Sequence, residues 1–234
     1  MTTSPIDSTP TAVSPQWIRL AGIAGVASTI LGVGLGAGIA SGAPTFVDPA
    51  DEIRTWFGDN QGQVALFTWL MPLVVGPLLL TFAAGLRSRL DAVDGSGVLP
   101  RLSFSAAVAQ FGFGLVGLAF WGVLTLDPVL ETASDGLLVA VTALDTVAFF
   151  TLAPWATALF VVPASVVMLQ TRIMPTWLGA LGCLVGLGSV VGGLWIFSGD
   201  PTGALGGGVA FVAFLGLQIW VLITAVFLIR APQA

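Results

Sequence analysis

The chain has 234 residues, 56% of them hydrophobic and 8% charged, with a formal net charge of −5; soluble domains carry about a quarter charged residues, so lipid is the expected solvent. There is no His, Lys or Tyr, and Cys183 is the single cysteine. That excludes His-based metal sites, bis-His haem, a His general base, a lysine nucleophile or Schiff base, and an intramolecular disulfide. The seven arginines are scattered, leaving no electrostatic footprint for nucleic acid, and no cofactor or metal is expected.

Residues 1–16 are rich in Ser, Thr and Pro and read as a disordered cytoplasmic tail. The remainder, 17–231, reads as one transmembrane domain. A bilayer core needs about 20 consecutive apolar residues in a helix. Six such runs occur, at about Ile18–Ala40, Val64–Leu86, Leu102–Leu124, Val147–Leu169, Trp177–Phe197 and Leu205–Ile229. The predicted fold is an all-α, polytopic bundle of six transmembrane helices.

Arginine near span ends is retained on the cytoplasmic side. With both termini inside, Arg19, Arg87, Arg89, Arg101, Arg172 and Arg230 all lie at inner ends, and Arg54 alone faces out. The outer loops then hold Asp48, Asp51, Glu52, Asp59, Asp127, Glu131, Asp135 and Asp200. In this frame Trp17 and Trp177 fall at the inner interface and Trp121 and Trp195 at the outer one, where indole rings settle. A signal peptide cleaved near Ala43 would leave five spans, but its apolar region is too long and the residues before it lack a positive n-region.

Helix one carries small residues at four-residue spacing, Ser28, Gly32, Gly36 and Ala40, beside a second row at Gly34, Gly38 and Gly42. Small residues let helix backbones approach closely in lipid, so this face is expected to pack within the chain, a homo-oligomer interface being the alternative. After it, Val47–Gly58 predicts a short outer helix at about 48–58, with Asp48 as cap, Pro49 in the first turn and Gly58 as stop. Ile53, Trp56 and Phe57 share one face. Docking on the membrane surface is the expected use of that face, and folding over the bundle the alternative.

Helix two contains Pro72 and Pro77, and helix four contains Pro154 and Pro163; each removes a backbone hydrogen bond and invites a kink. Gln110 in helix three and Gln218 in helix six lie within the core, where each amide needs a partner. Counting up from Gln170 at about 1.5 Å per residue places Asp145 beyond a core of about 30 Å, at the outer headgroups. No second aspartate lies in a span, so intramembrane aspartyl proteolysis is excluded. Helix five repeats the small-residue device at Gly179, Gly182, Gly186, Ser189 and Gly193.

Ala50–Ile53 with Trp56, Phe57, Asp59 and Asn60, followed by Phe82–Leu90, resembles a set of uncharacterised six-helix membrane proteins of actinobacteria. Phe160–Ser165 followed by Met174–Gly179 is similar to the fourth and fifth spans of those proteins and of a broader bacterial membrane domain of unknown function. The basic residue usual before the Trp-Leu-Gly step is Thr176 here. The resemblance implies a multi-pass protein of the bacterial cytoplasmic membrane and brings no activity or cofactor with it. The expected role is a noncatalytic bundle acting in assembly, with itself or with other membrane proteins. A small-solute or ion transporter or channel using helices two, four and six is the alternative, with Gln110, Asp145 and Gln218 as polar contacts, and a lipid-modifying enzyme is the third reading.

Overall fold

The computed structural model describes residues 14–39 and 42–230. Most of the expected tail, together with Ala40 of the first glycine row and residue 231, lies outside the described residues. Helix α1 runs Pro15–Ile39. Helix α2 covers Ala50–Asp59, and α3 (Gln61–Leu70) continues through a π turn at Met71–Val75 into α4 (Gly76–Asp91). Next come α5 (Val98–Leu124), the short α6 (Asp127–Thr132) and α7 (Asp135–Val147), which passes through a second π turn, Ala148–Leu152, into α8 (Ala153–Thr171). Helix α9 (Thr176–Gly193) ends in a 3-10 turn, Leu194–Phe197, and a third π segment, Ala204–Ala210, opens α10 (Phe211–Arg230).

Six of these continuous helices are long and apolar enough to cross a membrane, and no strand occurs among the described residues. Each span packs against the next in sequence, and α10 closes the ring against α1. The up-and-down order brings Arg19, Arg87, Arg89, Arg101, Arg172 and Arg230 to one end, here the arginine end. Helices α2 and α6 and the start of α7 sit at the opposite, acidic end.

Sorting by size explains the packing. Ala21, Ala83, Ala107, Ala164 and Ala225 are buried, while Leu20, Ile30, Leu66, Leu184, Leu187 and Val212 point outward. Apolar bulk gains nothing inside a bundle that lipid does not also offer, so close backbone approach decides which face turns inward. A Cβ on Gly25 would lie 2.5 Å from Cδ2 of Phe82 and 2.9 Å from Cβ of Ala225, closer than carbon atoms can sit. The centre of the ring towards the arginine end is filled by Phe82, Phe160, Met168, Leu178 and Trp220. A second core at the acidic end joins Ile53, Phe57, Val64, Phe67, Leu118, Trp121, Leu124 and Leu138.

Several expectations are corrected. The fourth span begins at Asp135 rather than near Val147 and is 37 residues long. At about 1.5 Å per residue that exceeds a core of about 30 Å, so its first turns belong to a cap at the acidic end. Ser134 starts it by accepting the Leu137 N–H at 3.3 Å. Asp48 does not cap α2: its carboxylate accepts the Thr45 N–H at 2.7 Å and the Thr45 hydroxyl at 3.0 Å, closing the preceding turn. Pro49 occupies the cap position instead, and α2 runs past Gly58 to Asp59. Trp121 and Trp195 are 7% and 2% exposed and so are core residues rather than members of a belt, whereas Trp17 and Trp177 are exposed.

Prolines sit where the backbone is already irregular: Pro72 within the first π turn, Pro77 in the first turn of α4 and Pro154 in the first turn of α8. A wide turn leaves the carbonyl that would clash with the ring without its usual donor, which makes proline cheap there. Pro163 is buried inside α8. Between the last two spans, the hydroxyl and backbone N–H of Thr202 and the N–H of Gly203 donate to Asp200, holding its carboxyl below the usual range.

Candidate functional site

Asp145 is 5% exposed, inside the protein and not among headgroups as the straight-helix count suggests. Position along a helix says nothing about what lies beside it laterally, and here α5 supplies the Trp121 indole. The Trp121 indole N–H donates to Oδ2 of Asp145 at 2.7 Å. Its other oxygen, Oδ1, is buried and has no hydrogen-bond partner. The ion pairs among the described residues are Arg54–Asp135 and Arg87–Asp91, so no arginine is paired with Asp145. An uncompensated buried carboxylate is expensive, and within a membrane bundle it marks function more often than stability.

Aromatic rings surround the Trp121 indole. Trp56 and Phe57 of α2 meet it edge-on at 5.8 Å, Phe67 of α3 at 5.6 Å and Phe149, one turn after Asp145, at 6.4 Å. Helix α2 is therefore a roof. Ile53 and Phe57 are 0% and 1% exposed against the bundle, so the apolar face expected to dock on the membrane is spent inside the protein. Polar contacts fix its edge: Arg54 donates to the carbonyls of Leu130 and Ala133, the latter at 3.0 Å, and meets Asp135 at 3.2 Å. Gln61 donates to the Asp127 carboxylate nearby. On the outer side of the roof is an open groove of about 290 Å³ lined by Asp51, Glu52, Thr55, Trp56, Asp59 and Asn60. No group of three His, Cys, Asp or Glu suited to a metal ion occurs among the described residues.

The register of α5 against the fourth span is pinned twice, by the Ser103 hydroxyl donating to the Phe160 carbonyl at 2.6 Å and by Trp121 on Asp145. Gln110 falls between these pins, and its Oε1 is buried and unpartnered. On the span it packs against, Thr151 Oγ1 and Trp155 Nε1 are also buried and unpartnered. Thus Gln110 and Asp145 belong to one helix pair. Gln218 does not: it is half-buried on α10, which packs on α1 and α9, and it forms no side-chain hydrogen bond among the described residues.

The glycines divide in two. On α9, the Cβ positions of Gly182 and Gly193 lie 2.6 Å and 2.5 Å from the indole nitrogens of Trp220 and Trp155, and that of Gly186 meets Val162. Ser165 crowds Gly182 as well, and the Ser165 hydroxyl, Trp220 indole and Thr224 hydroxyl are all buried without partners. On α1 the expected seam is not used within the chain: Gly32 has only Val75 at 3.5 Å, and Gly34, Gly36 and Gly38 face open space. Close packing of α1 occurs at Gly22 and Gly25 instead.

Sequence reasoning missed Trp121, Trp155, Thr151, Ser165 and Trp220. One signal was present for Trp121: it lies three helical turns from Gln110, on the same face of α5. The fold defines a multi-pass α-helical membrane protein with a buried carboxylate towards its acidic end. No protein-family model matches the chain, and no curated protein or solved structure does either.

Proposed function

We propose that this protein is a transporter of small polar solutes in the bacterial cytoplasmic membrane, with its acidic end outside and Asp145 as the outer binding group. The observation that carries this reading is the buried Asp145 carboxylate, with one oxygen bonded to Trp121 of α5 and the other unpartnered. Further support comes from the π turns that interrupt the second and fourth spans and open the sixth; such turns recur at functional sites. Among the described residues neither the Gln110 Oε1 nor the Gln218 side chain is hydrogen-bonded to a neighbouring helix, as a purely structural amide would be. With no His, Lys or Tyr in the chain, a catalytic role has little to work with.

Charge-movement recordings on proteoliposomes adsorbed to a solid support test this, with proton jumps and a panel of small cations, amino acids and sugars as probes. Wild type should give a saturable current with at least one probe, and Asp145→Asn should abolish it. Absence of current with every probe, or an Asp145→Asn current equal to wild type, would refute the assignment.

Self-assembly is the second reading, favoured by the open Gly32–Gly38 face of α1. Crosslinking in native lipid tests it: Gly36→Leu should abolish a wild-type dimer if that face is the interface, and a dimer that survives the change argues against it.

A further inference from the structure

We infer that the junction of α8, α9 and α10 at Gly182 binds one internal water, which accepts the Trp220 indole N–H and bonds to the Ser165 and Thr224 hydroxyls. The site lies in the core towards the arginine end and stands whether or not Asp145 binds a solute.

Ser165, Trp220 and Thr224 are each 0% exposed. Among the described residues, the Ser165 hydroxyl, the Trp220 indole nitrogen and the Thr224 hydroxyl have no hydrogen-bond partner. They converge on α9. A Cβ on Gly182 would touch the Ser165 hydroxyl and lie 2.6 Å from the Trp220 nitrogen, so polar atoms from α8 and α10 face one point on its backbone. Phe160 of α8 meets the Trp220 ring edge-on at 5.8 Å and holds the indole there. Thr224 follows Trp220 by one turn on the same face of α10.

The usual recourse of a helical hydroxyl is not taken here. Thr142, Thr146, Thr157 and Ser189 each donate to the carbonyl one turn back, at 2.7–2.9 Å, which satisfies a hydroxyl without any neighbouring helix. Ser165 and Thr224 do not. The Trp220 nitrogen has no local alternative either, because an indole only donates. Lipid offers nothing to any of the three, whereas a buried water makes about three hydrogen bonds to groups left in this position. It matches them in kind as well as number, accepting from the indole and giving to or accepting from each hydroxyl. An ion does not. The indole N–H repels a cation, α9 carries no charged residue, and two hydroxyls with one N–H bring no formal charge to hold an anion. Trp220 lies about 15 Å along α10 from Arg230, half of a core of about 30 Å, so the water sits at the middle of the membrane.

Water-edited solid-state NMR of the full chain in lipid bilayers tests this, with isotope-labelled indole nitrogens and the Trp220 signal assigned by its loss in Trp220→Phe. Magnetisation should pass from water to the Trp220 indole proton at short mixing times. It should not pass to Trp195, which is also buried but already bonded to the Phe150 carbonyl. In Ser165→Val, which replaces the hydroxyl with methyl groups, the Trp220 transfer should be lost; the wild-type comparison of Trp220 with Trp195 serves if that variant does not fold. Absence of transfer to Trp220 in wild type would overturn the inference, as would equal transfer to Trp195 or a Trp220 transfer left intact in Ser165→Val. A Trp220 signal that shifts when chloride is replaced by gluconate would assign the site to a halide and overturn it as well.

Discussion

Trp121 and Asp145 hold each other in place, and their exchange predicts opposite effects on stability and function. In Trp121→Phe the ring contacts survive but Oδ2 loses its donor, leaving both carboxylate oxygens unpartnered; the expected loss is about 1–3 kcal/mol, read as a lower melting temperature in detergent. Asp145→Asn keeps an acceptor for the indole and removes the buried charge, so its melting temperature should equal or exceed that of wild type while activity is lost. A marked fall in Asp145→Asn would make the carboxylate a structural group. Trp195→Phe, which removes the N–H donated to the Phe150 carbonyl at 2.9 Å, should cost about 1 kcal/mol without affecting flux. Residue environments were only partly legible in the sequence. The count from Gln170 measures distance along a helix, but burial of Asp145 depends on its lateral neighbours, Trp121 of α5 among them, which no span-by-span count contains. The preference of indoles for interfaces predicts a belt position for Trp121 and Trp195; an acceptor inside the protein for each N–H overrides it.

At the level of elements, α2 is attached by one buried apolar edge and a few polar contacts. The Arg54 side chain is 33% exposed, so its contacts with Asp135 and two carbonyls are screened and the effect on global stability is small, about 1 kcal/mol or less. Arg54→Gln should therefore act locally, speeding amide hydrogen exchange in α2 by roughly tenfold while α8 and α9 keep wild-type protection. Unchanged exchange in α2 would show that Ile53 and Phe57 alone hold the roof down. The glycines make a paired test. Gly25→Val drives a side chain into Phe82 and Ala225 and should cost about 1–3 kcal/mol or more, whereas Gly36→Val meets open space and should leave the melting temperature of the monomer unchanged. Spacing alone could identify the α9 seam, because Gly179, Gly182, Gly186 and Gly193 all turn towards α8. It could not distinguish the two halves of α1. Small residues repeat along both, and only the halves of α4 and α10 that come close decide that Gly22 and Gly25 pack while Gly36 does not.

For the whole molecule, length and hydrophobic runs were enough to give six spans, since lipid leaves a helix no alternative means of satisfying its backbone. Each span packs on its neighbours in sequence and α10 on α1, which makes the ring follow chain order. The cap was the part hidden from that reasoning: hydropathy treats the fourth span as starting after Asp145, whereas the structure runs it from Asp135 and uses the added turns to build a second core with α2, α3 and α5. The decisive feature at this scale is a carboxylate buried towards the acidic end of the bundle, the end proposed to face outward, with α2 packed on its partner Trp121 and tied down by Arg54. Cysteine labelling tests it most directly: in a Cys183→Ser background, Asp145→Cys and Glu131→Cys are exposed on intact cells to a membrane-impermeant maleimide. Glu131→Cys should label quickly, Asp145→Cys at least about a hundredfold more slowly, and adding Arg54→Gln should speed only the latter. Rapid labelling at 145 with Arg54 intact, or labelling of 131 only after the cells are opened, would contradict the account.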